Sequence, residues 1–433
     1  MIMELTAREA ALSALIACRR QGAWSEGILK ELLHGMERRE AALASRLCYG
    51  VLQNRILLDH WLDAYVKGKL QPVVRDILRL GLYQIQFNDK IPASAAVHQA
   101  VEQCKKHANA QAARLVNGVL RNILRAGDLP LPEDPGLRYS HPAPLQKLLE
   151  AEFGKEKAGA LMRCHNEAPE TSLQLNPLLG DLQSLQTELE ASGCSVKEHP
   201  WLENCLYVTA TGSLESLPAF REGRAYVQDA AAKLSVLSAG IQPGMRVLDC
   251  CAAPGGKSFA AAMCMENRGK LVSCDIHPHK LQLIEKGAQR LGITILSTRL
   301  QDASKPVEEF RNSMDVVLAD VPCSGLGVIR KKPDIRYKDL KQTEALPAIQ
   351  SAILAQQAEY VKPGGVLLYS TCTILRRENE QVVDEFLKNY GNFSLEEIQF
   401  PPKSGLSKSA MATLLPCDQG TDGFFICKLR RKP

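Results

Sequence analysis

The sequence predicts a multidomain protein with an all-α amino-terminal domain, a small α/β subdomain and a larger α/β domain built on a mainly parallel sheet. Three observations predict it. The 433 residues exceed the roughly 250–300 at which a single core usually divides. Apolar residues recur at helical spacing from Leu5 to Arg125. From Gly244 onward, short and nearly continuous apolar runs alternate with helical stretches, the pattern of parallel strands covered on both faces.

In the first third the helical segments are REAALSALIACRR, EAALASRLCYGVLQNRILLDHWLDAYV, VVRDILRLGLYQIQF, SAAVHQAVEQCKKH and AARLVNGVLRNILRAG. Gly68, Pro72, Asn88-Asp89, Pro92 and Gly127 separate them, as residues that end helices or set turns. GDLPLPEDPG, with its three prolines, is expected to be a linker. The expected domains are therefore 1–130, all-helical; 131–224, linker and small α/β subdomain; and 225–433, the larger α/β domain.

In the middle segment, PAPLQKLLEAEFGKEKAGALMRCHN has the form of two short helices. TSLQLN, CLYVTAT and RAYVQDA have the form of strands, with a helical LQSLQTELEASG between the first two. The larger domain contains strands RVLDCCA, KLVSCDI, ITILSTRL, MDVVLADV and GVLLYSTC, with helices such as PHKLQLIEKGAQRLG and PAIQSAILAQQAEYV. DGFFICKLRRK is expected to close the sheet as an edge strand.

Composition narrows the class. Hydrophobic content of 45%, charged content of 23% and 5% aromatics describe a globular chain rather than a disordered one. No apolar run approaches the roughly 18 residues of a membrane span, and MIMELTAREAALSAL has no basic leader or small-residue cleavage site. A cytoplasmic location without membrane attachment is the expectation. The 14 cysteines are scattered without a CxxC pair, which points to reduced thiols and against zinc. Net charge is +5, yet residues 1–130 hold 18 Lys and Arg against 12 Asp and Glu. That surplus of six leaves the remainder near −1. A basic amino-terminal third fits a polyanionic partner, although a solvated helical surface would have the same composition.

The turn RVLDCCAAPGGKS stands where an open α/β sheet binds its ligand, past the carboxyl end of its first strand. Cys251, Ala252, Ala253, Pro254, Gly255, Gly256 and Lys257 are its candidate cofactor residues. The glycines admit close backbone approach, and the next helix offers free N–H groups. The spacing does not fit a phosphate-cradling P-loop. Asp275, at the end of the second strand, is placed for ribose hydroxyls; Asp302, after the third, for an adenine amino group; Asp320 ends the fourth. Any one aspartate could be a helix cap or turn residue. Three at successive strand ends favour a ligand.

DCCAAPGGKS, SCDIHPHKL, LADVPCSGLGVIRKKPDIR and YSTCTI resemble the motifs of S-adenosylmethionine-dependent RNA 5-methylcytosine methyltransferases. The nearest resemblance is to the Sun/Fmu (RsmB) group, which carries a NusB-like amino-terminal domain; LVNGVLRN agrees with that. The catalytic likeness covers about residues 225–430. Leu326 in PCSGLGVI departs from the residue often found there. The resemblance implies a Rossmann-like methyltransferase domain, S-adenosylmethionine as cofactor, and 16S ribosomal RNA, free or partly assembled, as partner. It further implies cytosine 967 as target, with no DNA partner and a monomeric state.

Cytosine carbon 5 is a weak nucleophile, so a thiolate must first add to carbon 6; a base must later take the carbon 5 proton. Cys323 and Cys372 each follow an apolar strand. The resemblance makes Cys372 the nucleophile and Cys323 the release group. The residues alone leave the ranking open, because DNA cytosine methyltransferases attack from a Pro-Cys motif; their Glu-Asn-Val signature is absent here. Any one cysteine is by default a small buried apolar side chain. Asp320 is expected to hold the cytosine amino group and ring nitrogen, and Lys257 to contact Asp320 or lower a thiol pKa. Arg330, Lys331, Lys332 and Arg336 follow the Pro-Cys loop and are expected to grip phosphates beside the extruded base. Two other readings stay open: a transfer-RNA cytosine-5 methyltransferase, and a non-catalytic RNA-binding or antitermination factor.

Overall fold

The computed structural model describes residues 5–21, 25–209 and 213–433. Met1–Glu4, within the start that was read as lacking a leader, and Ala210 and Thr211 of the expected strand CLYVTAT lie outside the described residues. The chain forms two compact units, Met1–Glu167 with Ile329–Lys338, and Ala168–Val328 with Asp339–Pro433.

The first unit is helical. Its helices are α1 (Ala7–Gln21), α2 (Ser25–Leu32), α3 (Arg38–Asp63), α4 (Pro72–Phe87), α5 (Ala93–His107), α6 (Ala110–Ala126), α7 (Pro135–Arg138), α8 (Ala143–Phe153) and α9 (Lys155–Cys164). Apolar stripes of α1 and α3–α6 meet in a core that includes Leu12, Leu47, Leu58, Ile77, Leu80 and Leu120, all fully buried. Leu to Ala at such sites costs about 2–5 kcal/mol. α3 is kinked at Asn54 (φ −113°, ψ 15°). The kink releases backbone groups that a straight helix would pair internally. Ser140 Oγ accepts from the Leu57 N–H at 3.0 Å. The Leu52 carbonyl accepts from the Tyr337 hydroxyl at 2.7 Å, and the Gln53 carbonyl from Arg336 Nη1 at 2.9 Å.

Two consequences depart from the sequence reading. The proline-rich segment is pinned into the helical unit, since Trp61 Nε1 donates to the Pro130 carbonyl at 2.8 Å, and α7–α9 extend that unit to Glu167. Residues 329–338 belong to it as well, anchored by buried Ile329, Pro333 and Ile335.

The second unit holds two sheets. The smaller is antiparallel, in the order β2 (Ser195–Glu198), β3 (Cys205–Thr209), β1 (Thr171–Leu175), β4 (Ala225–Val227). Helices α10 (Leu182–Ala191) and α11 (Pro218–Arg221) bury Leu185, Leu189 and Ala219 with Leu173, Leu206 and Val208 of these strands.

The larger sheet runs β7 (Leu296–Leu300), β6 (Lys270–Asp275), β5 (Arg246–Asp249), β8 (Met314–Asp320), β9 (Val361–Thr371), all parallel. It continues antiparallel through β12 (Phe424–Arg431) to β10 (Phe393–Leu395), and β11 (Met411–Leu414) also pairs with β12. DGFFICKLRRK is therefore an inner strand rather than the edge. Three- and four-residue strands cover its outer side, and runs that short carry too little apolar periodicity to be read. Alternation along β5 sends Val247 to a core with Phe259 and Ile284, and Leu248 to one with Leu354 and Phe386. Helices α12 (Ala230–Ser238), α13 (Gly256–Cys264) and α14 (Pro278–Arg290) cover the first face; α15 (Leu346–Ala358) and α16 (Glu380–Asn389) cover the second. No helix among the described residues is long and apolar enough to cross a membrane.

Candidate active site

The parallel strands end their carboxyl termini on one sheet edge, and every candidate cofactor and thiol residue lies there. β5 ends at Asp249, and Cys250–Gly255 turn the chain into α13. Gly255 has φ 112°; a Cβ there would come 2.5 Å from the Phe259 ring, so only glycine fits. At Gly256 a Cβ would lie 3.3 Å from Gln228 Nε2. Asp249 is fully buried beneath the turn. It accepts from Ser258 Oγ at 2.7 Å, and Ser258 Oγ from Ser273 Oγ at 2.8 Å. Burial lifts its carboxyl to about 7.

Asp275 accepts the His277 N–H at 2.9 Å through one oxygen. Asp302 accepts the Ser304 N–H at 2.9 Å and the Ser304 hydroxyl at 2.7 Å, also through one oxygen. The Ser304 hydrogen bonds hold the Asp302 carboxyl below its usual range. Each aspartate is thus the turn residue its alternative reading predicted, and each keeps a second carboxylate oxygen able to accept.

Asp320 ends β8. Lys257 Nζ reaches its Oδ2 at 2.8 Å, and Ser370 Oγ donates to its Oδ1 at 2.9 Å. Lys257 also lies over the Phe424 ring, 4.9 Å from its centroid. Burial pulls the Lys257 ammonium down, but Asp320 outweighs it and the net pKa is raised. Lys257 therefore stays charged and is no general base.

Cys323 lies three residues past β8 and Cys372 directly past β9. In these adjacent strands Asp320 pairs with Ser370, so the loops that follow run side by side. Both cysteines are partly buried, and their sulfurs are 3.0 Å apart. The contact with Cys372, then burial, raises the Cys323 thiol well above its ordinary value. The loops are fastened by short bonds. Ser324 Oγ and Thr373 Oγ1 are 2.7 Å apart, and the Ser324 N–H donates to Glu378 Oε2 at 2.8 Å. Gly327 N–H donates to the Cys372 carbonyl at 3.0 Å, and Gly423 N–H to the Gly327 carbonyl at 2.8 Å.

Of the four cations expected to grip phosphates, the structure overturns Arg336. Arg330, Lys331, Lys332 and Arg336 fall in the helical unit. Arg336 is 1% exposed, and its guanidinium donates to the Gln53, Tyr139, Ser140 and His165 carbonyls and to Asn166 Oδ1. It is a buried anchor and cannot grip a phosphate from there. Lys332 is exposed and paired with Glu26 at 2.8 Å. For Arg336, nearness to Cys323 in the chain misled, because residues 329–338 pack into the helical unit.

Sequence reasoning missed several residues. Gln228, 7% exposed with neither amide atom partnered among the described residues, lies against the glycine turn. Glu378, fully buried, also accepts from Gln350 Nε2 at 3.0 Å. Asp249, Ser370, Gly327 and Gly423 complete the set. The one available signal was a buried-looking polar residue inside an apolar run, as with Ser370 in LLYSTC.

A cleft of about 910 Å³ in the same unit, lined by His199, Trp201 and Phe400 among others, contains neither Cys323 nor Cys372 and none of the strand-end acids. Among the described residues no group of three or more His, Cys, Asp or Glu is arranged to hold a metal ion.

The residues fit S-adenosylmethionine on three counts. A turn that a Cβ would fill leaves backbone open to close approach, the N–H groups of α13 face that turn, and carboxylate oxygens stand free at two strand ends.

Three family models match the chain. One described as 16S rRNA methyltransferase RsmB/F matches residues 237–430. NusB family matches 5–125, and the RsmF/B-like ferredoxin-like domain matches 141–215. A probable ribosomal RNA small subunit methyltransferase B from Bacillus subtilis is 38% identical, covering 98% of each chain. The crystal structure of PH0851 is 25% identical, with TM-score 0.81 and 98% of each chain covered. A methyltransferase homolog protein from Pyrococcus horikoshii is 27% identical, with TM-score 0.60, covering 69% of this chain and 98% of its own.

Proposed function

This chain belongs to the 16S rRNA methyltransferase RsmB/F family, and from that premise we propose that it methylates carbon 5 of a cytosine in 16S ribosomal RNA through a covalent thiol adduct. The observation that carries the reading is the 3.0 Å approach of Cys323 and Cys372 sulfurs at the ligand edge of the sheet. Methylation of a nucleophilic atom would need no thiol, and two thiols side by side fit the add-then-release chemistry that carbon 5 demands.

S-adenosylmethionine supplies the electrophilic methyl group when bound, held by the turn from Cys251 through Gly256 and by Asp275 and Asp302. In the proposed sequence, the Cys372 thiolate forms a bond to carbon 6 of the cytosine. The ring electron pair moves toward carbon 5 and the ring nitrogen, and the Asp320 carboxylate accepts from the exocyclic amino group and from that nitrogen, which takes a proton from solvent and returns it when the adduct breaks. Lys257, charged and bound to Asp320, keeps that carboxylate placed. Once Cys372 is bonded to carbon 6, the Cys323 S–H gives its proton to solvent; after carbon 5 gains its methyl group the Cys323 thiolate takes the carbon 5 proton, the pair returns to close the double bond, and Cys372 leaves carbon 6 as thiolate.

The S–H of Cys323 supports the assignment of roles. The contact with Cys372, 3.0 Å away, and burial raise the Cys323 thiol, which makes Cys323 the poorer attacking group and, once deprotonated, the stronger base.

The target within 16S RNA is proposed as cytosine 967 by likeness to the group. Methyl transfer from radiolabelled S-adenosylmethionine to a 16S transcript, followed by bisulfite mapping, tests the reading. Label on any atom other than cytosine carbon 5 overturns it, and label on transfer RNA in place of the transcript redirects it to the transfer-RNA enzymes.

A further inference from the structure

Gln228 holds two unused hydrogen-bonding groups beside the glycine turn. It stands between β4 and α12, directly before Asp229, which caps α12 by accepting the Ala231 N–H at 2.9 Å. Its main chain is fastened on both sides: the Gln228 N–H donates to the Ser172 carbonyl at 3.2 Å, and the Gln228 carbonyl accepts from Gln174 Nε2 at 3.0 Å. The side chain has no such anchors. It is buried, and among the described residues neither its Nε2 nor its Oε1 has a hydrogen-bond partner. An amide shut away from water with both atoms unpaired is unfavourable, and a folded chain keeps one where something else satisfies it.

The amide rests against the start of α13. A Cβ at Gly256, the first residue of that helix, would lie 3.3 Å from Gln228 Nε2, closer than ordinary contact. Gly256 lacks the positive φ that makes Gly255 a glycine, and glycine at an ordinary helical position is unfavourable relative to alanine. Room for close approach is what its missing side chain provides. The Phe259 N–H donates to the Gly255 carbonyl at 2.8 Å, so the N–H groups of Gly256, Lys257 and Ser258 before it have no acceptor within the helix. They form the positive end of the helix dipole.

An unpaired donor and an unpaired acceptor on one planar amide match a ligand group that carries an acceptor and a donor side by side. Next to a helix N-terminus the favoured acceptor is an anion. A carboxylate and an ammonium on one carbon meet both conditions, and S-adenosylmethionine ends in that pair.

We propose that Gln228 receives the amino-acid end of S-adenosylmethionine: its Nε2 donates to the α-carboxylate together with N–H groups at the start of α13, and its Oε1 accepts from the α-ammonium. Gln228 then serves recognition rather than the reaction, separating the cofactor from adenosine derivatives that lack the amino acid. The inference rests on the cofactor reading above and adds a residue that the glycine turn and the strand-end acids do not include.

Calorimetric titration of the full-length protein with two ligands tests it. S-adenosylhomocysteine has the amino-acid end and no methyl group to transfer; 5′-methylthioadenosine has the nucleoside and the sulfur without that end. Gln228→Leu keeps much of the volume and removes both polar atoms. It is expected to bind S-adenosylhomocysteine at least about tenfold more weakly and 5′-methylthioadenosine as the wild type does. Its melting temperature should not fall, because leucine leaves no buried amide unpaired. Gln228→Glu keeps the shape and sets a negative charge beside the α-carboxylate, so it should show the same selective loss, and it carries the comparison if the leucine variant fails to fold. Affinity for S-adenosylhomocysteine within about twofold of wild type overturns the proposal. So does an equal loss of both ligands, which is what a side chain that merely props the turn would produce. A wild type that binds neither ligand overturns the cofactor reading and this inference with it. Selective loss in the variants, with no methyl transfer to RNA by the wild type, sinks the enzymatic reading and leaves the role of Gln228 standing.

Discussion

The Ser324 N–H donates to Glu378 Oε2 across 2.8 Å, tying the loop that carries Cys323 to the segment that follows Cys372. Glu378 is fully buried, and a buried carboxylate is costly unless its hydrogen bonds are good. Its charge also helps raise the Cys323 thiol, after Cys372 and burial. Glu378→Ala should leave the Ser324 and Gln350 donors unsatisfied and open a cavity, costing about 2–4 kcal/mol by urea denaturation. Glu378→Gln keeps an acceptor and removes the charge; it should regain most of that stability while the Cys323 pKa falls. Equal stability of all three proteins would show that the bond holds nothing.

The two thiols make separable predictions. Cys372→Ala should form no covalent complex with a 5-fluorocytosine-containing transcript, on a denaturing gel. Cys323→Ala should accumulate a stable adduct with an ordinary transcript, because addition and methyl transfer proceed and release does not. The reverse pattern would exchange the roles.

Gly327 sets the distance between the loops. A Cβ there would fall 1.9 Å from the Gly423 carbonyl oxygen, a clash with backbone rather than a side chain that can turn away. Gly327→Ala should therefore lower kcat by tenfold or more, about 1.4 kcal/mol, with cofactor affinity unchanged in a calorimetric titration.

Stability should fall in mild acid through His141 and His165. His141 Nδ1 donates to the Tyr139 carbonyl at 2.8 Å, which leaves its Nε2 to accept from His165 Nδ1 at 3.0 Å. Added protons would break this chain. Burial first, then Arg336, holds both well below the ordinary 6.5. The unfolded chain takes up these protons as pH drops below about 6.5 and the folded chain does not. The stabilisation is thus complete above that pH and is lost below it, with a slope of at most about 1.4 kcal/mol per pH unit for each histidine. Urea midpoints between about pH 8 and 5 should show the decline, and His165→Gln should flatten it.

How much was legible follows from where each partner sits in the chain. The gathering of Gly255, the strand-end acids and both cysteines on one edge was legible because strand, turn and helix follow one another locally and parallel topology carries strand ends to one edge. The Lys257 contact with Asp320 was foreseen as one of two options, and bridges 63 positions only because their strands are neighbours. Glu378 and Gln228 were missed, since each acts on a loop far away in sequence. Arg336 was misread because its burial comes from the long-range packing of residues 329–338, Ile329 and Ile335 among them, into the helical unit, which local periodicity does not encode.

Arg336 turns that misplacement into an experiment. Its guanidinium fills a cage of four carbonyls and one amide oxygen, and one of those carbonyls, Gln53, is free only because α3 is kinked. Arg336→Met keeps much of the volume and removes every donor, so several buried oxygens lose their partner at once. The expected loss is about 3–5 kcal/mol, read as a lowered urea midpoint. Deleting residues 1–130 would remove the Gln53 and Leu52 acceptors and expose the same cage, so such a truncation reports on folding before it reports on RNA. A phosphate-gripping arginine predicts the opposite pattern for Arg336→Met: stability within about 0.5 kcal/mol of wild type and a shallower salt dependence of RNA binding. Measuring both quantities on one variant separates the buried anchor from the phosphate contact.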